Sequence, residues 1–379
     1  MRGIRFSTRA AACLATVSVC VMTAAAPASG AQFSAATKRA LTSIAVSGLG
    51  AGLQPGLVVG VWVPGRGSYV RTFGTSSLAT GKPVSADDHF RIASITKSFT
   101  SEAILRLVDQ HKLSLSSRLS AYVSGIPNGN VITIAQLLNM TSGIYAFTDD
   151  QRSVQAYTRN PLRPFSLADV VRIIQRHQPW FAPGTSARYD DSNYYLLGAI
   201  AEKVTGLPLR EVIRRQVLNP LRLRHTLYPR TSAMPRPFAR GYLDQANLAP
   251  RDVTLSNPAY PGGAGAMIST LGDLKVWAKA LATGSLLSPA THRAQLMTHL
   301  LSESPTLTTS YGFGITDTNG FLGHDGAILG YGSTMFYLPK ARATIVVLGN
   351  NNDLAQPKPL FTAIAIGYYL FHGQFRHGL

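Results

Sequence analysis

A serine and a lysine three residues apart form the most reactive combination in this sequence. Ser94 and Lys97 lie in the run Arg91-Ile-Ala-Ser-Ile-Thr-Lys-Ser-Phe99, and apolar residues continue at helical spacing to about His111. Side chains three residues apart on a helix share one face, so the lysine amine lies beside the serine hydroxyl. A serine becomes a strong nucleophile when an adjacent base takes its proton. The pattern therefore predicts a nucleophilic serine with a lysine base.

The same pair also has a purely structural interpretation. A serine at the start of a helix commonly caps the helix, and the pattern Ser-x-x-Lys often occurs by chance. Among the nine lysines of the chain, only Lys97 has a serine three residues before it. This favours the catalytic interpretation, but the decision depends on partner residues from elsewhere in the chain.

The elements around this pair are strands near both ends of the chain and helices between them. A continuous apolar, β-branched run predicts a strand at 56–63, and strand-like patterns predict further strands at 68–73, 311–316, 320–324, 332–338 and 343–348. Helical patterns predict helices at 34–47, from Ser94 to about 111, and at 135–140, 166–178, 194–204, 209–218, 269–282 and 360–371. The fold class is therefore α/β of the α+β type. We expect one antiparallel sheet formed by both termini and flanked by helices, with an inserted, mostly helical subdomain.

The domain prediction follows from this arrangement. Residues 32–379 form one domain, in which 32–93 and 306–379 make a sheet subdomain. Residues 94–305 make the mostly helical subdomain, which carries Ser94 and Tyr189.

The first 31 residues have the pattern of a signal peptide. Arg2, Arg5 and Arg9 precede an apolar run, and small residues follow the run. This predicts an exported protein, located in the periplasm or cell wall or secreted. Both cysteines, Cys13 and Cys20, lie in this segment. We therefore expect a mature protein without a thiol, a disulfide or a cysteine metal site. We also expect a protein that uses no metal and no cofactor.

The charge balance limits the classes of partner. The chain carries 36 Lys and Arg against 18 Asp and Glu, a net charge of +18, which favours anionic cell-envelope polymers as surroundings. Nucleic acid is disfavoured because the arginines are scattered and the chain carries an export signal. The only other long apolar tract, 360–371, is too short to span a bilayer, so we expect no stable membrane span in the mature chain.

Two further segments complete a three-part pattern. Tyr189-Asp-Asp191 precedes an apolar helix, and His324-Asp-Gly326 lies on a predicted strand. Together with Ser94-Ile-Thr-Lys97, and in this order, these motifs resemble the serine β-lactamase and DD-peptidase superfamily. The resemblance is to the branch of class C β-lactamases, the Streptomyces-type DD-carboxypeptidase and related esterases. Supported by the stretches 136–143 and 262–273, it runs from about residue 36 to the C-terminus and implies a β-lactamase/transpeptidase-like fold.

The resemblance implies a role for each motif. Ser94 would be the acylated nucleophile and Lys97 its proton acceptor, and Tyr189 would pass the proton to the leaving group. The backbone N–H groups of Ser94 and Ala327 would form the oxyanion hole. A phenol needs nearby cations to act as a base near neutral pH, and Lys97 together with His324 would supply them.

Two carboxylates depart from the family pattern and bear on the substrate. Asp191 stands where the family often has asparagine, so an amide donor is replaced by an acceptor that can pair with Lys97. Asp325 stands where β-lactamases and DD-peptidases commonly carry a threonine that meets the substrate carboxylate. With His324 and Gly326, these are the predicted substrate-binding and electrostatic positions. A carboxylate in the cleft favours neutral esters, amides or substrates with a free amine; this argument lapses if Asp325 turns away from the cleft.

We therefore predict an exported serine hydrolase that forms an acyl-enzyme at Ser94 and acts on a small-molecule or peptide substrate bearing a peptide, amide or ester bond. One alternative is a D-alanyl-D-alanine carboxypeptidase or β-lactamase proper, with a peptidoglycan-derived substrate. An alternative of another class is a non-catalytic peptidoglycan-binding protein. No Gly-x-Ser-x-Gly elbow occurs in the chain, which argues against an α/β-hydrolase esterase.

Overall fold

The computed structural model describes residues 32–50, 54–245, 248–303, 307–351 and 358–372, without the side chains of Gln245 and Leu248. The predicted signal peptide, 1–31, lies outside these ranges. Within them, no helix is both long and apolar enough to cross a membrane.

The strands occur in two groups, at the beginning and at the end of the chain, with short strands between. In chain order they are β1 (Gly56–Val63), β2 (Gly67–Ser77), β3 (Lys82–Pro83), β4 (Phe90–Arg91), β5 (Tyr242–Gln245), β6 (Leu248–Asp252), β7 (Ile268–Ser269), β8 (His299–Glu303), β9 (Thr308–Tyr311), β10 (Thr316–Thr318), β11 (Phe321–Ile328), β12 (Tyr331–Leu338) and β13 (Ala343–Gly349).

Nine of these strands form one antiparallel sheet in the order β3-β2-β1-β13-β12-β11-β10-β9-β8. The first strand of the chain pairs with the last, with Gly60 opposite Val346. The prediction that both termini build one antiparallel sheet is therefore confirmed. The strands β4 and β7 form one separate pair, and β5 and β6 form another.

Helices fill the middle of the chain and also occur near both ends, and together they cover both faces of the sheet. They are α1 (Ala35–Leu49), α2 (Thr96–Asp109), α3 (Ile134–Leu138), α4 (Gln151–Arg159), α5 (Leu167–Gln175), α6 (Asp191–Thr205), α7 (Leu209–Ile213), α8 (Asn219–Leu221), α9 (Gly262–Gly265), α10 (Leu271–Thr283), α11 (Pro289–Gln295) and α12 (Lys358–Phe371). The segment Arg214–Leu218 joins α7 to α8 as a π-helical turn.

The sheet separates two hydrophobic cores. On one face, Val59, Val61 and Val347 pack with residues of α1 and α12. On the other face, Val346 and Met335 belong to the larger core that includes the helices of the middle segment. Because β1 is buried on both faces, its sequence is a continuous apolar run rather than an alternating one.

Some predicted boundaries are wrong, and each has a local cause. The strand predicted at 311–316 is instead the turn between β9 and β10, in which the Gly312 N–H donates to the Ile315 carbonyl and Gly314 has a φ of +69°. The helix predicted from residue 194 begins at Asp191, because the Asp190 side chain accepts a hydrogen bond from the Ser192 N–H and caps it.

Several elements were not predicted at all. The segment between α8 and Gly265 contains β5, β6 and α9, and the helices α4 and α11 lie in stretches where no helix was expected. The strand β8 falls within the predicted helical subdomain, 94–305, yet it pairs with β9 at the edge of the sheet.

Candidate active site

Ser94 lies in a tight turn at the start of α2. Residues Ala93–Ile95 form a single 3-10 turn directly before the helix. Ala93 has a φ of +47°, a left-handed conformation that costs of order 1 kcal/mol for a residue with a side chain. Neither the turn nor α2 begins with a side-chain capping bond. The Ser94 hydroxyl is therefore not used as a cap, and the structural interpretation of this serine is not supported.

Lys97 is fully buried one turn further along. Its Nζ atom donates to Ser94 Oγ at 3.0 Å, to Asp191 Oδ1 at 2.5 Å and to the Ala264 carbonyl at 3.0 Å. An ammonium group has three N–H donors, so these contacts use all of them. The predicted juxtaposition of serine and lysine is present, and the arrangement is that of a charged lysine.

Asp191 holds this charge in place. It is the first residue of α6, and its second oxygen accepts a hydrogen bond from Thr148 Oγ1 at 2.7 Å. Burial acts to raise the pKa of Asp191, but the Lys97 charge and the hydrogen bonds from Lys97 and Thr148 outweigh it and keep the pKa below its usual value. The pair is therefore ionised, with 23% of the Asp191 side chain exposed and none of the Lys97 side chain.

Tyr189 precedes this helix and presents its phenol to Ser94. Its side chain is 38% exposed, and its hydroxyl has Ser94 as a hydrogen-bond partner. Burial, followed by the Asp191 charge, raises the pKa of Tyr189 well above 10, although the Ser94 hydrogen bond opposes this. Lys97 Nζ lies over the ring, 4.8 Å from its centroid. The expectation that nearby cations would make Tyr189 a base near neutral pH is therefore wrong, and the phenol is a proton donor.

His324 is buried on β11 and is neutral. Its Nδ1 lies 2.5 Å from the Asp325 carbonyl and its Nε2 lies 3.0 Å from the Tyr311 hydroxyl. A carbonyl can only accept, so Nδ1 carries the proton and Nε2 accepts from the tyrosine. Burial, and then the Lys97 charge, lower the pKa of His324 to about 3. His324 therefore supplies no positive charge to the site, contrary to the sequence-based expectation.

Asp325 is a carboxylate without a cationic partner in contact. Because side chains alternate along a strand, it lies on the opposite side of β11 from His324, where it is partly exposed. It takes part in none of the ion pairs found among the described residues. Burial raises the pKa of Asp325, while its own N–H and the charge of Lys97 act in the other direction. Its charge in turn contributes to the raised pKa of Tyr189, so Asp325 remains close enough to act on the site.

Gly326 lets β11 approach the nucleophile. The strand β10 pairs with β11 only as far as Gly323, and the next part of β11 packs against the Ser94 turn. A Cβ atom on Gly326 would lie 2.4 Å from the Ile92 oxygen and 2.8 Å from the Ser94 nitrogen, so only glycine fits here. Ala327, the second residue of the predicted oxyanion hole, directly follows this close approach in the chain, and its role stays a prediction.

Three residues of the site were not predicted as part of it. Thr148 binds Asp191, the Ala264 carbonyl binds Lys97, and Tyr311 binds His324. The glycines around Ala264 were a usable signal, because a Cβ on Gly263 would lie 2.6 Å from a backbone oxygen of α6. Thr148 and Tyr311 follow no local pattern. Across the described part of the chain, no group of three or more His, Cys, Asp or Glu side chains could hold a metal ion.

Comparisons with known proteins identify the family and the fold. The Beta-lactamase family model matches residues 44–367. A D-stereospecific amidohydrolase from Streptomyces sp. has a similar structure, with a TM-score of 0.76 and 29% identity over 89% of this chain and 98% of that one. A penicillin-binding protein from Bacillus halodurans shares the fold at 24% identity, with a TM-score of 0.74 over 87% of this chain and 99% of that one.

The similarity to curated sequences covers only part of those proteins. Protein flp from Staphylococcus aureus (strain MW2) is 29% identical over 318 residues, which are 80% of this chain and 61% of that protein. The chain thus spans about three fifths of the length of the curated relatives it matches.

Proposed function

The chain belongs to the Beta-lactamase family of serine hydrolases, and from this premise we propose that it hydrolyses amides through an acyl-enzyme at Ser94. The observation that carries the proposal is the contact of 3.0 Å between Lys97 Nζ and Ser94 Oγ, with the Tyr189 phenol on the same oxygen. The nucleophilic oxygen is thus in contact with both a base, Lys97, and a proton donor, Tyr189.

The chemistry follows from the protonation states. Lys97 must first lose a proton, and the amine then accepts the Oγ proton while Oγ attacks the substrate carbonyl. The backbone N–H groups of Ser94 and Ala327 hold the resulting oxyanion. Tyr189, which is protonated, donates to the departing amine and is reprotonated by Lys97. Water then cleaves the acyl-enzyme by the same steps in reverse, with water in the place of the amine.

The substrate that fits best carries a free amine. Asp191 and Asp325 are two carboxylates near the nucleophile; among the residues that the structure describes, Lys97 is the cation that pairs with Asp191, Asp325 has no ion-pair partner, and His324 is neutral. The Asp325 carboxylate, which has no ion-pair partner among the described residues, would attract a substrate ammonium electrostatically and would repel a substrate carboxylate. The name of the Streptomyces relative, a D-stereospecific amidohydrolase, suggests the D configuration. We therefore propose D-amino-acid amides as the substrate class.

A substrate panel tests this proposal. D-phenylalanine amide, its N-acetyl derivative, the L enantiomer, a diacylated D-Ala-D-Ala peptide and a chromogenic cephalosporin are compared by kcat/KM. We expect the D amide with a free amine to be hydrolysed fastest. Faster turnover of the D-Ala-D-Ala peptide or of the cephalosporin would instead identify a carboxypeptidase or a β-lactamase. Absence of turnover for the whole panel would contradict the proposal.

The role of Asp325 is tested by the variants Asp325→Asn and Asp325→Thr. Asparagine removes the charge at nearly constant volume, so the KM of the free-amine amide should rise about tenfold, the equivalent of about 1.4 kcal/mol. The KM of the N-acetyl amide should not change. Threonine should improve turnover of the D-Ala-D-Ala peptide. Equal effects of Asp325→Asn on both amides would show that this carboxylate does not meet the substrate amine.

A further inference from the structure

The resting site contains an obstacle to its own reaction. All three N–H groups of Lys97 are donated to oxygen atoms, so Nζ has no lone pair with which to accept the Ser94 proton. The base must be released from this state before each acylation. The inference below concerns this release and rests on the proposed function.

The group that holds the proton on Lys97 can be identified by considering its neighbours. The titratable groups around Lys97 are Asp191 and Tyr194 of α6, Tyr189 before α6, Tyr311 of β9 and His324 of β11, and the Ala264 carbonyl of α9 contacts it as well. Asp325 lies on the other side of β11 and acts on Lys97 only through its charge. The three phenols have raised pKa values and the imidazole is neutral. Only Asp191 is both charged and in contact with Nζ.

Asp191 is also within reach of a bound substrate. Nearly a quarter of its side chain is exposed, while Lys97 is fully covered. A single atom, Lys97 Nζ, separates Ser94 Oγ from Asp191 Oδ1, at 3.0 and 2.5 Å. In an amino-acid amide the ammonium nitrogen is two bonds, about 2.5 Å, from the carbonyl carbon that Oγ attacks. An ammonium group attached to a carbonyl at Ser94 can therefore approach the Asp191 carboxylate.

We propose that the ammonium group of the substrate activates Lys97 by taking over Asp191 as its counter-ion. The incoming charge neutralises the carboxylate and repels the Lys97 ammonium across a short distance, where electrostatic interactions are strong. An Nζ–H bond of Lys97 breaks and the proton passes to water through the half-buried Ser94 hydroxyl, which leaves a lone pair on Nζ. One positive charge enters the site and one leaves, so the net charge of the site is unchanged.

This arrangement selects substrates by rate as well as by affinity. A neutral acyl group can occupy the site, but it leaves Lys97 paired with Asp191, so the base forms less readily. A cationic acyl group releases Lys97 from Asp191, so the base forms more readily. The acidic limb of the pH profile of kcat reports groups in the enzyme–substrate complex. The pH at which this limb lies should therefore depend on the charge of the substrate.

Two isosteric anilides test the proposal. Trimethylammonioacetyl p-nitroanilide carries a fixed positive charge, and 3,3-dimethylbutanoyl p-nitroanilide has the same shape without it; neither acyl group titrates. We expect the acidic limb of kcat in the wild-type protein to lie at least about one pH unit lower for the charged anilide, or about tenfold in rate at a pH below both limbs. Coincident limbs in the wild type would overturn the proposal, and this comparison needs no variant.

The variant Asp191→Asn identifies the group responsible. Without the carboxylate, Lys97 has lost the partner that holds its proton, so the limb of the neutral anilide should move to lower pH and meet that of the charged anilide. The matched variant Asp325→Asn should raise the KM of the charged anilide and keep the two limbs apart. Limbs that stay apart in Asp191→Asn, or that merge only in Asp325→Asn, would contradict the role of Asp191.

The outcomes also separate this inference from the proposed function. If both anilides are hydrolysed with a single limb, only the activation by substrate fails. If neither anilide nor any amide of the panel is hydrolysed, and Ser94 is not labelled by a serine-reactive probe, the proposed function fails and the inference fails with it.

Discussion

Replacing Lys97 with methionine should lower kcat/KM for amide hydrolysis at least about a thousandfold, since it removes the one amine that contacts Ser94 Oγ among the described residues. Methionine keeps a flexible side chain of similar length at this buried position. Lys275→Met is a suitable control, because Lys275 is exposed on α10. Steady-state kinetics of both variants measure the effect, and the control should keep the wild-type rate. A loss of less than tenfold in Lys97→Met would show that Lys97 is not the base.

The same variant should also be less stable, for a separate reason. Without Lys97, the largely buried Asp191 carboxylate loses its ammonium partner. Breaking a buried ion pair on one side costs about 3–5 kcal/mol, and partial exposure of Asp191 reduces this to about 2–3 kcal/mol. The double variant Lys97→Met/Asp191→Asn should regain most of this stability in urea unfolding while remaining inactive. This result would separate the chemical role of the lysine from its structural one.

The largest effect on stability is expected from Glu102→Gln. Glu102 is fully buried in α2, where Gln295 Nε2 donates to its Oε2 at 3.3 Å and no described residue binds its Oε1. Burial raises the pKa of Glu102 from 4.5 to about 8. The folded state therefore holds this proton between pH 4.5 and 8, whereas the unfolded chain has lost it. Stability is full below pH 4.5, falls as pH rises towards 8, and is constant above.

Glutamine avoids this loss because it does not ionise. The advantage of Glu102→Gln should be small at pH 4.5, should grow through the window and should reach about 3–5 kcal/mol above pH 8. Urea unfolding of both proteins at pH 5 and pH 9 measures it. Glu303→Gln, at an exposed position on β8, should show no such dependence. An equal difference between Glu102→Gln and wild type at both pH values would contradict the assignment.

The parts of the site that depend on short segments could be predicted from the sequence. The spacing of Ser94 and Lys97 places both on one helical face, and the continuous apolar run of β1 identifies a strand buried on both sides. The capping box between Ser166 and Asp169 defines the start of α5 in the same way. In these cases neighbouring residues determine the local geometry, and the fold only has to preserve it.

The electrostatics of the site could not be predicted in the same way. The direction of the pKa shifts of Tyr189 and His324 depends on how deeply each group is buried, and burial is decided by elements far away in the chain. The contacts of Thr148 and Ala264 with the ion pair likewise join segments more than 40 residues from their partners. The turn at 312–315 interrupts an apolar stretch that looks like one strand, because Gly314 adopts a positive φ.

The measurement that tests the central claim most directly is the site of covalent labelling. Trypsin cleaves after Arg91 and after Lys97, which releases residues 92–97 as a peptide with Ser94 as its only serine. After reaction with a fluorophosphonate, mass spectrometry should find one adduct, on this serine, and Ser94→Ala should show none. An adduct on another residue, or one that persists in Ser94→Ala, would contradict the assignment of Ser94 as the nucleophile.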